Sequence, residues 1–198
     1  MIFEEKLLYI KQSVSSTWSG HIEFADWLMR YKRPLVTVEL GVDYGCSTFS
    51  FALSEIGEVY AIDWFKGDQH TGYRDTSFIF MDHLKTLQYS NVNVMAMAFD
   101  DAFNDWTLPI DILHIDGLHT YDAVRNDYNK WTKHLKYDGV VLMHDTCIDW
   151  FGVKDFFGEI QEPKLNFTHS CGLGVISKDT ALLQQIRNKY SSLIDFRY

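Results

Sequence analysis

Apolar positions recur along this chain in two rhythms. Phe3, Leu7, Ile10 and Val14 fall three or four apart, as do Phe24, Trp27, Leu28 and Tyr31. Each set makes one face of a helix, and Pro34 closes the second. Residues 1–34 are therefore expected to form a helical cover ahead of the first strand. Short apolar, β-branched runs then appear at 36–40, 59–62, 92–97, 112–115 and 140–143, and these read as buried strands. Helical spacing returns between them, at Phe49, Ala52, Leu53 and Ile56, at Phe80, Leu84 and Leu87, and at Tyr121, Val124, Tyr128, Trp131 and Leu135. A short helix over 153–160 follows. Near the end, 166–170 and 173–177 flank Cys171-Gly172 as a hairpin, and Asp179 is placed to cap a helix carrying Leu182, Leu183 and Ile186. Strands alternating with helices predict an α/β fold: a mostly parallel sheet of seven strands, an antiparallel C-terminal hairpin, and helices on both faces.

The first strand runs into Glu39-Leu40-Gly41-Val42-Asp43-Tyr44-Gly45-Cys46-Ser47-Thr48. Gly41 and Gly45 let the turn take unusual dihedrals and let a ligand approach bare backbone; Ser47 or Thr48 is expected to cap the helix, and Gly57 to close it. A dinucleotide fingerprint needs glycine at position 43, where Asp43 stands, and a phosphate loop needs Gly-Lys-Ser/Thr where this chain has Gly-Cys-Ser. The second strand ends at Asp63, about 20 residues on, where a carboxylate can accept from both hydroxyls of a ribose. The stretch 64–74 is too polar and glycine-broken for regular structure; Asp68 and His70 either edge a site or supply turn chemistry to a surface loop.

Two later strands deliver acids to one sheet edge: Asp116, followed by Gly117 and His119, and Asp145, preceded by His144. Ligands in open α/β sheets bind beyond such carboxyl ends. Two carboxylates at one cleft repel unless a cation or proton lies between them, and Mg²⁺ would satisfy both through oxygen ligands. A metal would lower the pKa of a substrate hydroxyl, and His119 can take its proton near neutrality. His114, inside its strand, reads as a buried hydrogen-bonded histidine rather than a ligand.

Composition narrows the partners. The 198 residues are 46% hydrophobic and 16% aromatic, which indicates one globular domain over 1–198. With 27 acids against 18 bases the formal net charge is −9. That disfavours nucleic acid and anionic membranes. No signal-peptide pattern or membrane-length apolar run is present. Cys46, Cys147 and Cys171 form no C-x-x-C pair and read as reduced thiols, which points to the cytoplasm. The aromatics near both termini read equally as core or as an interface with a second copy.

Glu39-x-Gly41-x-x-x-Gly45-x-Ser47 resembles the first motif of class I S-adenosylmethionine-dependent methyltransferases. Asp-Gly-x-His-x-Tyr from Asp116 and Gly-Val-Val-Leu-Met-His-Asp-Thr from Gly139 resemble the metal-dependent sugar and macrolide O-methyltransferases and their cephalosporin-hydroxylase-like relatives. The resemblance implies that Glu39, Gly41, Tyr44, Gly45, Ser47, Asp63 and Trp64 border S-adenosylmethionine. It implies that Phe99 and Asp100 meet the adenine, and that Asp116, which also touches the donor, holds metal with Asp145. His119 becomes the base. His144 stands where the group often has a second acid, so the metal set Asp116, Asp145 and His144 departs from the pattern, and a metal-free enzyme stays open. The implied acceptor is a small hydroxylated molecule such as a sugar or glycan precursor. Two readings compete: a non-catalytic S-adenosylmethionine-binding protein, and an NAD-type oxidoreductase, which the missing fingerprint disfavours.

Overall fold

A computed structural model describes residues 1–195 and 197. The helices α1 (Phe3–Ser13) and α2 (Ile22–Lys32) precede the sheet, joined by a 3-10 turn over Thr17–His21. The chain then alternates: β1 (Val36–Leu40), α3 (Cys46–Ala52), β2 (Glu58–Ile62), a small hairpin of β3 (Gly67–Asp68) and β4 (Gly72–Tyr73), α4 (Ser77–Leu87), β5 (Val92–Met95), α5 (Phe99–Asp105), β6 (Ile110–Ile115), α6 (Tyr121–Trp131), β7 (Leu135–His144), α7 (Gly152–Glu159), β8 (Lys164–Phe167), β9 (Leu173–Ser177), α8 (Thr180–Tyr190) and β10 (Ile194–Asp195).

The main sheet runs β10-β8-β9-β7-β6-β1-β2-β5. The strands β5, β2, β1, β6 and β7 pair in parallel, while β9, β8 and β10 pair antiparallel. The α/β class and the terminal hairpin agree with expectation. The sheet has eight strands rather than seven, because Ile194–Asp195 pairs with β8. Two residues after a helix leave no period to read.

Strand alternation divides the core. Val38, Leu40, Leu113, Ile115, Val141 and Met143 pack with α5, α6 and α7. Ile112, Val140 and Leu142 pack with α1, α2, α3, α4 and α8. The second face also carries Glu39 and His114, which are register partners and have no exposed surface. His114 Nε2 accepts from Trp18 Nε1 (3.1 Å), so its proton sits on Nδ1 and is donated to Glu39 Oε1 (3.0 Å). Thr48 Oγ1 donates to the other carboxylate oxygen. This chain of polar groups fastens the N-terminal cover to the centre of the sheet.

Local corrections follow from backbone geometry. The helix α3 starts after Gly45, with no side-chain cap from Ser47 or Thr48, and it stops at Ala52, so Gly57 lies in the turn before β2 rather than at the helix end. Leu135, Asp138 and Gly139 belong to the ten-residue β7, not to helix and turn. The stretch 64–74 contains the β3–β4 hairpin. Asp179 caps α8 through Leu182 N (2.9 Å), as expected. Among the described residues no helix is long and apolar enough to cross a membrane.

Candidate active site

The parallel strands end level. Leu40 pairs with Ile62 and Ile115, and Ile115 pairs with Met143. The next residues, Gly41, Asp63, Asp116 and His144, therefore form one row across the sheet. Chain order reverses between β1 and β6, the position where open α/β sheets leave a crevice. A cavity of about 600 Å³ opens there.

On the glycine-turn side of this cavity the backbone is held close. Gly41 has φ +92°, and a Cβ there would lie 2.1 Å from the Asp116 carbonyl oxygen, so only glycine fits. Asp63 uses its carboxylate on the turn itself: Oδ2 accepts from Val42 N (2.8 Å) and Asp43 N (3.0 Å), and Oδ1 from Phe65 N (2.7 Å). Asp43 also has a left-handed backbone, and Arg74 Nη2 donates to both of its carboxylate oxygens at 2.8 and 2.9 Å.

The acids and histidines meet opposite this turn. His119 Nε2 lies 2.8 Å from Asp145 Oδ2 and 3.7 Å from Asp116 Oδ1. His144 Nδ1 lies 3.2 Å from Asp116 Oδ1 and 3.5 Å from Asp145 Oδ2, while its Nε2 donates to the Ser170 carbonyl (2.9 Å). Asp145 adopts φ +61° to aim its carboxylate inward, an uncommon conformation of the kind stored at functional sites. Burial opposes charge on His119, but hydrogen bonds to Asp116 and Asp145 outweigh it and raise its pKa to about 9. Burial likewise opposes charge on His144, and the charge and hydrogen bond of Asp116 push it well above the ordinary value. Burial works against the Asp116 carboxylate too, yet the His144 charge and the bonds from His119 and His144 hold it far below the usual range. The imidazoles of His119 and His144 thus stand between the two carboxylates, and each pairing favours the charged form of both partners.

Linkage fixes the sign of a stability effect. The folded pKa of His119, about 9, exceeds its unfolded value of about 6.5. Its contribution is fully present below pH 6.5 and is lost as pH rises through 9. Metal-free protein should therefore lose on the order of 3 kcal/mol between those limits. Urea unfolding at pH 6 and pH 9.5 measures the difference; equal midpoints would remove the paired imidazolium.

Each sequence-derived residue now has a place. Gly41, Tyr44, Ser47, Asp63, Trp64, Phe99, Asp116, His119, His144 and Asp145 border the cavity. Gly45 starts α3 behind it, and an added Cβ would meet the Phe49 ring at 2.5 Å. Two residues stand elsewhere. Glu39 faces away from the cavity lining and is saturated by His114 and Thr48. Asp100 lies in the first turn of α5, which is preceded by Ala98 as cap, and pairs with Lys130 at 2.7 Å. Sequence reasoning missed Phe151, whose ring lies 4.3 Å from the His119 ring at 10°. It also missed Ser15 and Thr17 at the cavity's edge and the carbonyl of Ser170. Phe151, Ser15 and Thr17 carry no local motif, whereas Ser170 lies in Thr-His-Ser-x-Gly-Leu-Gly-Val, which resembles the same group.

The donor set fits a divalent cation. One ligand atom each from Asp116, His144 and Asp145 lies within 4.8 Å of the others. With Nε2 donating to Ser170, a neutral His144 would turn its Nδ1 lone pair toward both carboxylates, the orientation that an outer carbonyl imposes on a ligating histidine.

Comparison with known proteins bears on the family and the fold. The family described as "Methyltransferase domain" matches residues 38–146, from β1 through the tip of β7. An uncharacterized protein, y4gI, of Sinorhizobium fredii is 34% identical over 172 residues, which is 81% of this chain and 19% of that protein. The chain thus spans about a fifth of the length of that curated relative. Among solved structures, an O-methyltransferase from Bacillus cereus in complex with S-adenosylhomocysteine superimposes with TM-score 0.63 at 15% identity, covering 89% of this chain and 90% of that one. The O-methyltransferase TomG from Streptomyces achromogenes, bound to S-adenosylmethionine, gives 0.65 at 14%, covering 87% and 89%. These two establish the fold. The family match spans more than half of the sequence and includes the glycine turn and both acidic tips, so the chain belongs to the class I S-adenosylmethionine-dependent methyltransferase family.

Proposed function

We propose that this protein moves a methyl group from S-adenosylmethionine to a hydroxyl of a small acceptor, with sugars among the candidates. One observation carries the reading: the glycine turn and the Asp116–His119–His144–Asp145 group open on the same cavity, with Gly41 seated on the Asp116 carbonyl. The carboxylates of Asp43, Asp63, Asp68, Asp116 and Asp145 also border that cavity and favour a cationic sulfonium. Structural neighbours whose names include O-methyltransferase support transfer to oxygen.

Within this reading the turn over 41–45 holds the donor and Phe99 covers its adenine. The neutral form of His119, which a positive charge beside the ring favours, takes the acceptor's hydroxyl proton at Nε2. The resulting oxygen attacks the methyl carbon in line; the new O–C bond forms as the C–S bond breaks, and the sulfonium becomes a neutral thioether. No covalent enzyme intermediate is needed, so the rate comes from position and charge control. Asp116, His144 and Asp145 would hold a divalent cation, which supplies Lewis-acid activation of the acceptor oxygen. A nitrogen in this set suits Mn²⁺ or Fe²⁺ alongside Mg²⁺.

Two calorimetric results test this. S-adenosylhomocysteine should bind with micromolar or tighter affinity; no heat would end the donor assignment. Mn²⁺ binding should release about one proton at pH 7, because His144 must shed its proton to ligate. Titration in two buffers of different ionisation heat reads that proton directly. Metal binding with no proton release would take His144 out of the set, and no metal binding would select the metal-free form.

A further inference from the structure

The stretch 64–74 reads in sequence as a loop of unsettled purpose, yet it is built firmly and touches both halves of the site. Asp68 Oδ1 accepts from His70 N (2.7 Å) and Thr71 N (2.8 Å). Trp64 Nε1 donates to the Gly67 carbonyl (3.0 Å). At its C-terminal end Arg74 forks onto Asp43 at 2.8 and 2.9 Å, and its Nε donates to the Tyr44 hydroxyl at 3.3 Å. That pins the stretch to the donor turn.

At its crest the His70 ring lies 5.2 Å from Phe151 at 16° and 5.7 Å from His119 at 22°. With the His119–Phe151 pair at 4.3 Å and 10°, three near-parallel rings from three separate segments gather at one point. The segment bearing Phe151 is fixed as well: Gly152 N donates to the His119 carbonyl (2.9 Å), and a Cβ on Gly152 would lie 2.1 Å from Tyr121 N. His119 holds its partners only through Nε2. Its Nδ1 is buried with no hydrogen-bond partner, so polar contact holds the ring at its Nε2 corner alone. Flat contact from neighbouring rings supports the rest of its plane.

We infer that His70 and Phe151 are positioning residues that hold the plane of the His119 ring, and that the Arg74–Asp43 pin sets where His70 lies. The inference rests on the reading of His119 as the proton acceptor, because a base must present its nitrogen within hydrogen-bond reach in a fixed direction. Neither residue touches the reacting atoms; both act through His119.

The test uses the full chain labelled at histidine ¹³Cε1, with the His119 signal assigned by its loss in His119→Gln, and S-adenosylhomocysteine as the calorimetric probe. His70→Ala should broaden the His119 signal at least twofold and change donor-product affinity by less than about threefold. His70→Phe, which keeps a flat ring, should restore the wild-type line. Arg74→Met, remote from His119, should broaden the same signal. A His119 line unchanged in His70→Ala, or broadening that His70→Phe fails to reverse, overturns the positioning role. An unchanged line in Arg74→Met overturns the pin. Absence of S-adenosylhomocysteine heat from the wild type would instead sink the donor reading, and the ring measurement is scored independently of it.

Discussion

His119→Ala should lower methyl transfer by roughly 10²–10⁴-fold on any acceptor the wild type methylates, the usual worth of a positioned general base. Donor affinity should stay within a few-fold, since the glycine turn lies on another strand tip. The histidine sits 2.8 Å from Asp145, so its removal leaves that carboxylate facing Asp116 with only His144 between them. Some stability is lost with it, and turnover must be compared at a temperature where both proteins are folded. Steady-state kinetics then separate the roles: kcat falls, donor KM does not. Unchanged kcat would take His119 out of the reaction and leave proximity and the acidic group as the whole of catalysis.

The second large effect is structural. His114→Leu should destabilise the fold by roughly 3–5 kcal/mol, as expected when a buried carboxylate and a buried indole N–H both lose a hydrogen-bond partner. For a chain of this length that corresponds to a fall in Tm of roughly 6–20 °C. Glu39 would keep only Thr48, and the Trp18 indole N–H would lose its acceptor. A double variant that also carries Glu39→Met should cost less than the sum of the single changes, because it removes the stranded carboxylate together with its partner. Strict additivity in thermal unfolding would show that the two residues do not interact.

Much of this architecture is visible in the chain. The run through Gly41 and Gly45 specifies strand, turn and helix because each glycine occupies a left-handed position. The acids after 112–115 and 140–143 announce a shared edge because parallel strands in register deliver their ends together. Other features were hidden for physical reasons. Period-two alternation separates Glu39 from Leu40, but nothing local says which face holds the N-terminal helices; only the fold shows Glu39 turned toward Trp18 and His114. Asp100 reads as a cap or an adenine contact until the start of α5 at Phe99 is known. The paired carboxylates suggested an intervening metal; that the imidazoles of His119 and His144 also reach between them shows only in the fold. The ring cluster of His70, His119 and Phe151 joins segments more than 30 residues apart, so no spacing rule could find it.

The seat of Gly41 against Asp116 also bears on how such a protein can diversify. With carbonyl and bare α-carbon in contact, the bend and the acid tip behave as a single welded joint, intolerant of even one extra methyl. If the proposed reaction holds, drift in acceptor choice is channelled to other lining positions such as Ser15, Thr17, Ile148 and Trp150. A mutational library confined to those four positions should alter which alcohols are accepted while the donor's affinity stays put.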